Sequence, residues 1–389
     1  MTAQRLRSLL ASLIALVGLV GPLYSADPPD RKDALFQVGQ ADGSRLEIVE
    51  GVPVATLEGT PDEIGRAYAS LAHKPITLAW ERYIKPAAGF TGGMDKLQEA
   101  SMRLESHVPD RYRQEMRALA KTMKIGYNDL LACNAFSDIY RIGGCSTFAV
   151  AGDVSADGVP YLARNLDFFG LGVLNRTSMV IVFRPKGYKA FASVTWPGLS
   201  GVLSGMNRDG LCCAVMEVRE GPVTTNGMPS TFLFRRVMEE AGDVEEALEI
   251  LENTPRIAGN NLMLLDRNGH AAVAELGPDR FEVRRSKKGI LFSTNNFHAG
   301  KKSAPRCRRF ARFTAYTVER KQPVTIADLK MLLNDVNQGL ITIQSMIFDP
   351  VNQRVHLSAG QMPSSKGDYK QLDLAKLLAE ATTAPDEEN

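Results

Sequence analysis

One hairpin constrains this chain more than any other stretch. Gly143 to Phe168 reads GGCSTFAVAGDVSADGVPYLARNLDF. Two apolar runs flank DVSADG, whose Gly, Asp and Ser content suits a hairpin loop. Pairing the runs as antiparallel strands brings Cys145 to Arg164 and Asp167, although about twenty residues separate them. A thiol, a guanidinium and a carboxylate are a usable nucleophile set. No histidine lies near them in sequence.

The hairpin also divides the chain. Residues 27–59 read as an extended leader with strand candidates SRLEIVEG and VPVATLEG. Thr60-Pro61-Asp62-Glu63 then opens a helix, with Thr60 as cap, Pro61 in the first turn and Glu63 completing a capping box. That helix is expected to reach about Arg82. Further helices are expected over 93–123, broken at Pro109, and over 127–140. After Cys145 the pattern changes to serial strands at 145–151, 160–164, 178–184, 191–195, 201–206 and 211–218. Helices return at 230–240 and 244–252, the second capped by Asp243. Strands follow at 261–266, 271–276, 280–284 and 290–294. Helices over 306–318 and 325–334, strands over 342–348 and 354–359, and a short helix over 372–380 complete the reading. Pattern alone gives an α+β chain with mostly antiparallel sheets.

The first 26 residues carry Arg5 and Arg7 before an apolar run that ends in small residues. That is the pattern of a secretory signal peptide. The run from Leu9 to Val20 is short for a membrane span and is followed by Gly21 and Pro22. The expectation is an exported, periplasmic or secreted protein without a stable membrane anchor. Removing 1–26 takes both arginines and no acidic residue, so the formal charge of +2 falls to zero. A balanced charge gives no argument for nucleic-acid binding. The tail at 381–389, which ends in TTAPDEEN, reads as disordered.

The five cysteines are Cys133, Cys145, Cys212, Cys213 and Cys307. An odd count leaves at least one thiol unpaired within the chain. Cys212 and Cys213 read as buried apolar residues. The five histidines show no zinc spacing, so neither a metal nor another cofactor is expected. Without its surroundings, Cys145 fits a core cysteine as well as a nucleophile. Arg164 and Asp167 fit an ion pair at a strand end. Asn295, in FSTNNFH, fits a turn, and Arg309, in RRFAR, fits a solvated helix face.

Taken together, these stretches resemble the autoproteolytic acyltransferase and amidohydrolase family that includes isopenicillin N acyltransferase. More distantly they resemble the bile-salt and penicillin V amidases. These are N-terminal-nucleophile hydrolases. The shared pattern is a cysteine followed by small residues, a Gly-rich hairpin, and Arg-Asn-x-Asp with an aromatic. Here it reads CST, ADG and RNLDF. The resemblance continues through GMNRDGLCCAVMEV, GNNLMLLDRNGHAAVAELG and TIQSMIFDPVNQRVHLSAGQMP.

The resemblance implies a four-layer αββα sandwich and cleavage between Gly144 and Cys145. Cys145 would then be an N-terminal nucleophile whose own α-amine takes the thiol proton. Arg164 would lie beside the thiol, Asp167 would hold the amine or substrate, Asn295 would help hold the oxyanion, and Arg309 would support Asp167 and the thiol. The expected products are a mainly helical α chain (27–144) and a β chain (145–380 plus the tail), which stay associated as a heterodimer; further oligomerisation is left open. Glu217 departs from the amidases, which carry an asparagine there. An ionised carboxylate cannot donate a hydrogen bond, so either another group supplies that donor or Glu217 contacts an amine-bearing substrate. Phe168, Phe169, Trp196 and Met216, with Glu217, are candidates for the substrate pocket, although core packing is the commoner fate of such aromatics.

The expected function is a self-activated cysteine amidohydrolase, made as a zymogen, that cleaves a linear amide of a small molecule through an acyl-thioester on Cys145. An acyltransferase is the alternative. A further alternative is an uncleaved relative, acting as a binding protein or as a Cys-His hydrolase with His270 or His298.

Overall fold

The computed structural model describes residues 35–91, 93–141, 143–300 and 307–379. The chain divides into two units, residues 1–36, of which only Leu35 and Phe36 are described, and residues 37–389. The expected leader at 1–26 and tail at 381–389 lie outside the described residues.

The second unit opens with a meander, β1 (Gly39–Ala41), β2 (Ser44–Val49) and β3 (Val52–Gly59). Thr60 then caps α1 (Pro61–Leu71). Its hydroxyl accepts the Glu63 N–H, and the Glu63 carboxylate accepts the Thr60 N–H at 2.7 Å. The helix expected to reach Arg82 breaks at Ala72. Pro75 accounts for the break, because it has no N–H and its ring crowds the carbonyl of Leu71. The chain restarts as α2 (His73–Ala79), passes through a π-helical turn (Trp80–Ile84), and continues as α3 (Lys85–Thr91). α4 (Met94–Met102), α5 (Asp110–Met123) and α6 (Tyr127–Tyr140) follow, with the expected break before Pro109.

The hairpin forms as read, from β4 (Gly144–Val150) and β5 (Tyr161–Asp167). β5 extends past Arg164, where the sequence pattern ends it. It can do so because both its edges are paired and its buried polar side chains find partners. Asn165, for example, donates to the Leu333 carbonyl at 2.7 Å and accepts from Ser345 at 2.7 Å. Next come β6 (Met179–Pro185), β7 (Phe191–Thr195), β8 (Ser204–Asn207) and β9 (Cys212–Glu217). Two helices, α7 (Ser230–Glu240) and α8 (Val244–Glu252), precede β10 (Asn260–Leu265), β11 (Ala271–Gly277), β12 (Arg280–Arg285) and β13 (Ile290–Ser293). The chain closes with α9 (Arg308–Glu319), α10 (Ile326–Asp335), β14 (Thr342–Asp349), β15 (Arg354–Ala359), β16 (Lys370–Asp373) and α11 (Leu374–Leu378). The expected final helix is thus shorter, because its first residues pair with β15 as a strand.

Two sheets result. Ten strands run in the order β1-β2-β3-β6-β7-β8-β9-β10-β11-β12, and six in the order β13-β4-β5-β14-β15-β16. Among the described residues every named strand pair is antiparallel except β3 with β6. The sheets face each other at β4 and β9, where the Thr147 hydroxyl donates to the Met216 sulfur at 3.0 Å. Helices α7 and α8 cover the larger sheet, and α9 and α10 cover the smaller one. Phe148, Tyr161 and Ile347 of the small sheet pack there with Phe313, Leu329 and Leu333. The chain is therefore α+β, with two mainly antiparallel sheets between helical layers, as an αββα sandwich requires. Among the described residues no helix is long and apolar enough to cross a membrane.

Candidate active site

Strand register builds the site. Cys145 lies opposite Leu166, and Thr147 opposite Arg164. Side chains alternate along a strand, so Cys145 and Arg164 share a face as diagonal neighbours. Arg164 Nη2 donates to the Cys145 sulfur at 3.3 Å, and Nη1 donates to the Leu203 carbonyl at 2.8 Å. Both residues are buried. Burial pushes the thiol above its ordinary range, and the nearby Arg164 charge opposes that push only in part.

Asp167 lies opposite Gly144 and points to the other face of the hairpin. Its carboxylate accepts from Thr342 Oγ1 at 2.5 Å and Gln338 Nε2 at 2.6 Å, and it lies 3.5 Å from Arg309 Nη1. Burial nonetheless raises it above the usual carboxylate range. Arg164 therefore reaches the thiol through its side chain, whereas Asp167 reaches it through a backbone N–H.

Arg309, near the start of α9, settles which arginine of RRFAR points inward. Nη1 donates to the Cys145 carbonyl, and Nη2 donates to Asn295 Oδ1 at 2.8 Å. Arg312 turns instead to Asp335 at 2.8 Å. Asn295 Oδ1 also accepts the Cys145 N–H at 2.8 Å, while its Nδ2 donates to the Glu217 carbonyl at 2.8 Å. Cys145, Arg164, Asp167, Asn295 and Arg309, spread over 165 positions of sequence, thus meet around one peptide. In the intact chain Asn295 holds the nitrogen of that peptide.

Gly144 leaves room for the end of the Gln338 side chain. A Cβ there would sit 2.6 Å from Gln338 Nε2. On the other side, the Glu217 carboxylate accepts the Gly143 N–H at 3.1 Å. Its other oxygen lies 3.6 Å from Arg219 Nε and 4.0 Å from Arg141 Nε. Burial outweighs these partners and pushes Glu217 up to about 7. Of the pocket candidates, Phe168 packs against Trp196 at 5.6 Å and Tyr83 at 6.3 Å between ring centroids. Phe169 is half-buried just beyond, and Met216 is buried between the sheets.

Several residues at the site escape sequence reasoning. Gln338 and Thr342 hold Asp167; Gln338 lies outside every stretch singled out above, and Thr342 opens TIQSMIFDP with no role read for it. Asn261 donates to the carbonyls of Thr294 and Asn296 at 2.9 and 2.8 Å, which fixes the turn carrying Asn295. Glu275 accepts the His298 N–H at 2.7 Å on the same turn. The repeated Asn in GNNL is a visible signal for Asn261, but its target is not. Among the described residues, the groups bonded to Cys145 include no histidine. His270 lies 3.2 Å from Asp266, and the His298 ring stacks on Phe310. All five cysteines are free thiols.

A buried cysteine with an arginine at its sulfur thus stands near the start of the first hairpin strand, in an αββα frame. The chain belongs to the family described as acyl-coenzyme A:6-aminopenicillanic acid acyl-transferase, whose model matches residues 154–362, more than half of the 389. The resemblance read from the sequence stands, although the matched span begins downstream of Cys145. An uncharacterized protein of Archaeoglobus fulgidus is 24% identical over 277 residues, covering 62% of this chain and 46% of its own length. The N-acylethanolamine-hydrolyzing acid amidase of Mus musculus is 24% identical over 168 residues, covering 41% of this chain and 45% of its own. The chain thus spans about half the length of these curated relatives. Among solved structures, the Caenorhabditis elegans ortholog of that amidase aligns with a TM-score of 0.43 and 16% identity, covering 53% of this chain and 93% of its own.

Proposed function

We propose that the protein is a self-cleaving cysteine amide hydrolase. The observation that carries this reading is the setting of the Gly144–Cys145 peptide: a thiol 3.3 Å from Arg164, an N–H held by Asn295, and a carbonyl on the far side held by Arg309. The Cys145 sulfur attacks the Gly144 carbonyl carbon, forming a C–S bond as the C–N bond breaks. The thiol proton ends on the released amine. Water then attacks the thioester, Gly144 leaves as a carboxylate, and the thiol is restored. The new α-amine lies where Asn295 Oδ1 holds the old peptide nitrogen, with Arg309 behind that oxygen, and it serves as the base for the next attack. A substrate amide follows the same path through an acyl-thioester.

The two products stay together in this reading. Residues before the cut supply β1, β2 and β3, and β3 is paired along its length with β6 from beyond the cut. Export through the 1–26 leader, without further anchoring, belongs to the same proposal. Acyl transfer to an amine is a second reading, favoured by the family description; it differs only in whether water or an amine resolves the thioester.

Intact mass under denaturing conditions tests the proposal. Two chains, with Cys145 the first residue of the larger one, are expected. The Cys145→Ala protein should remain one chain and turn over no amide. A wild-type protein that stays single, or starts its large chain elsewhere, overturns the reading.

A further inference from the structure

The first thioester this site handles, on the self-cleavage reading above, is its own. Before water arrives, the acyl group on the Cys145 sulfur is Gly144, with Gly143 behind it. The surroundings of these two glycines therefore record what the acyl side of the site accepts. Glu217 accepts the Gly143 N–H at 3.1 Å. That nitrogen is five covalent bonds from the scissile carbon. The second oxygen of Glu217 has no hydrogen-bond donor. A Cβ on Gly143 would lie 3.3 Å from both Glu217 and Phe168, and a Cβ on Gly144 would lie 2.6 Å from Gln338. The channel is narrow beside the carbonyl and carries a buried acceptor at a fixed reach.

From this geometry we infer that Glu217 selects acyl groups that are unbranched beside the carbonyl and carry a neutral N–H five bonds away, as an N-acylated glycylglycyl group does. The neutrality follows from charge. Arg219 and Arg141 already face the carboxylate, at 3.6 and 4.0 Å, so an ammonium would meet two guanidinium groups there. A plain alkanoyl chain of the same reach has no donor and leaves the Glu217 oxygen buried and unpaired, which is costly. The acyl class is thus peptide-like, and the leaving amine is left unrestricted.

The test compares amides of one fluorogenic amine on the cleaved wild-type enzyme. The acyl groups are N-acetylglycylglycyl, its sarcosyl analogue methylated at the one nitrogen, hexanoyl, and N-acetylglycylalanyl. The first should exceed the sarcosyl and hexanoyl amides in kcat/KM by about ten-fold, the worth of one hydrogen bond to a buried carboxyl oxygen. The alanyl amide should fall further still. Equal or reversed rates for hexanoyl overturn the inference. Calorimetry with N-acetylglycylglycine and hexanoate gives a second readout that needs no turnover. A ten-fold binding preference without turnover counts against the amidase reading and keeps the selectivity; turnover without preference does the reverse. In the cleaved fraction of Glu217→Leu the preference should vanish.

Discussion

Among the described residues two arginines are completely buried, and they are treated in opposite ways. Arg235, on α7, is saturated. Its guanidinium donates to both oxygens of Glu115 at 2.8 and 2.6 Å and to Glu239 at 2.8 Å, and it stacks over Tyr112 at 4.5 Å. Burial alone would lower its pKa, yet the two carboxylates raise it. Arg164, on β5, has a carbonyl and a thiol, and its Nε has no partner. Among the described residues no carboxylate is bonded to it. Burying a charge costs several kcal/mol unless an opposite charge is supplied. The Arg235 site supplies that charge permanently. The Arg164 site supplies it only when the sulfur becomes a thiolate. The first arrangement holds α5 to α7 across the expected cut, and the second is ready for chemistry.

The largest effect should come from the saturated site. Arg235→Ala takes the paired cation from buried Glu115 and leaves Glu239 to Arg111, so the uncleaved Cys145→Ala chain should lose about 3–5 kcal/mol in urea unfolding. Arg164→Met should behave in the opposite sense. It removes a charge that has no carboxylate partner, so unfolding free energy should change by less than about 1 kcal/mol. Self-cleavage should slow about a hundredfold, because the thiolate loses the cation bonded to its sulfur. An Arg164→Met chain as unstable as Arg235→Ala would break the distinction between the two sites.

The two arginines also differ in how far the sequence reveals them. Arg164 sits in RNLDF, and the hairpin around it is legible because DVSADG forces two apolar runs to pair. Arg235 sits mid-helix in TFLFRRVMEE, where nothing distinguishes it from its solvated neighbour Arg236. Its partner Glu115 is 120 positions away on a helix whose packing no local pattern encodes. The same limit hides Gln338 and Thr342, whose importance comes only from β14 pairing beside β5. Pattern found most strands and the Thr60–Glu63 capping box, since those are local. It missed the break at Ala72, although Pro75 was there to be read. It could not assign β3 to β6, the parallel pairing among the named strands of the described residues, which joins the segment before the proposed cut to the sheet beyond it.

A third, smaller effect separates the sites by pH. Glu217 is pushed from 4.5 up to about 7 by burial, against Gly143, Arg219 and Arg141, with Asp138 adding to the rise. A carboxyl with a folded pKa above its unfolded value binds more protons when folded. Its neutral form is the stable partner of the fold, so stability falls as pH rises from 4.5 to about 7 and is level beyond. After a discount for the partly solvated side chain, the loss should be about 2 kcal/mol in the uncleaved Cys145→Ala chain. Glu217→Gln should flatten that slope. Glu115→Gln should lower stability, because it breaks the buried pair with Arg235. A slope unchanged by Glu217→Gln assigns the titration to another group, with Asp138, raised to about 6 by burial, the first to examine.

The smallest effect tests whether space alone holds Gly144 in place. Its missing side chain makes room for the amide of Gln338, which in turn donates to Asp167 at 2.6 Å. Gly144→Ala pushes that amide away, so self-cleavage should slow even though Cys145, Arg164 and Asn295 are untouched. Gln338→Ala alone should also slow it, through the loss of one charge-assisted hydrogen bond on Asp167. The double variant has room for the methyl group and no bond left to disturb. Its rate should therefore match that of Gln338→Ala, and the coupling between the two changes should be about 1 kcal/mol. Strictly additive rates would mean that Gly144 is needed for its backbone and not for the space beside it. The order of dependence would then run from Gly144 to the thiol directly, rather than through Gln338 to Asp167.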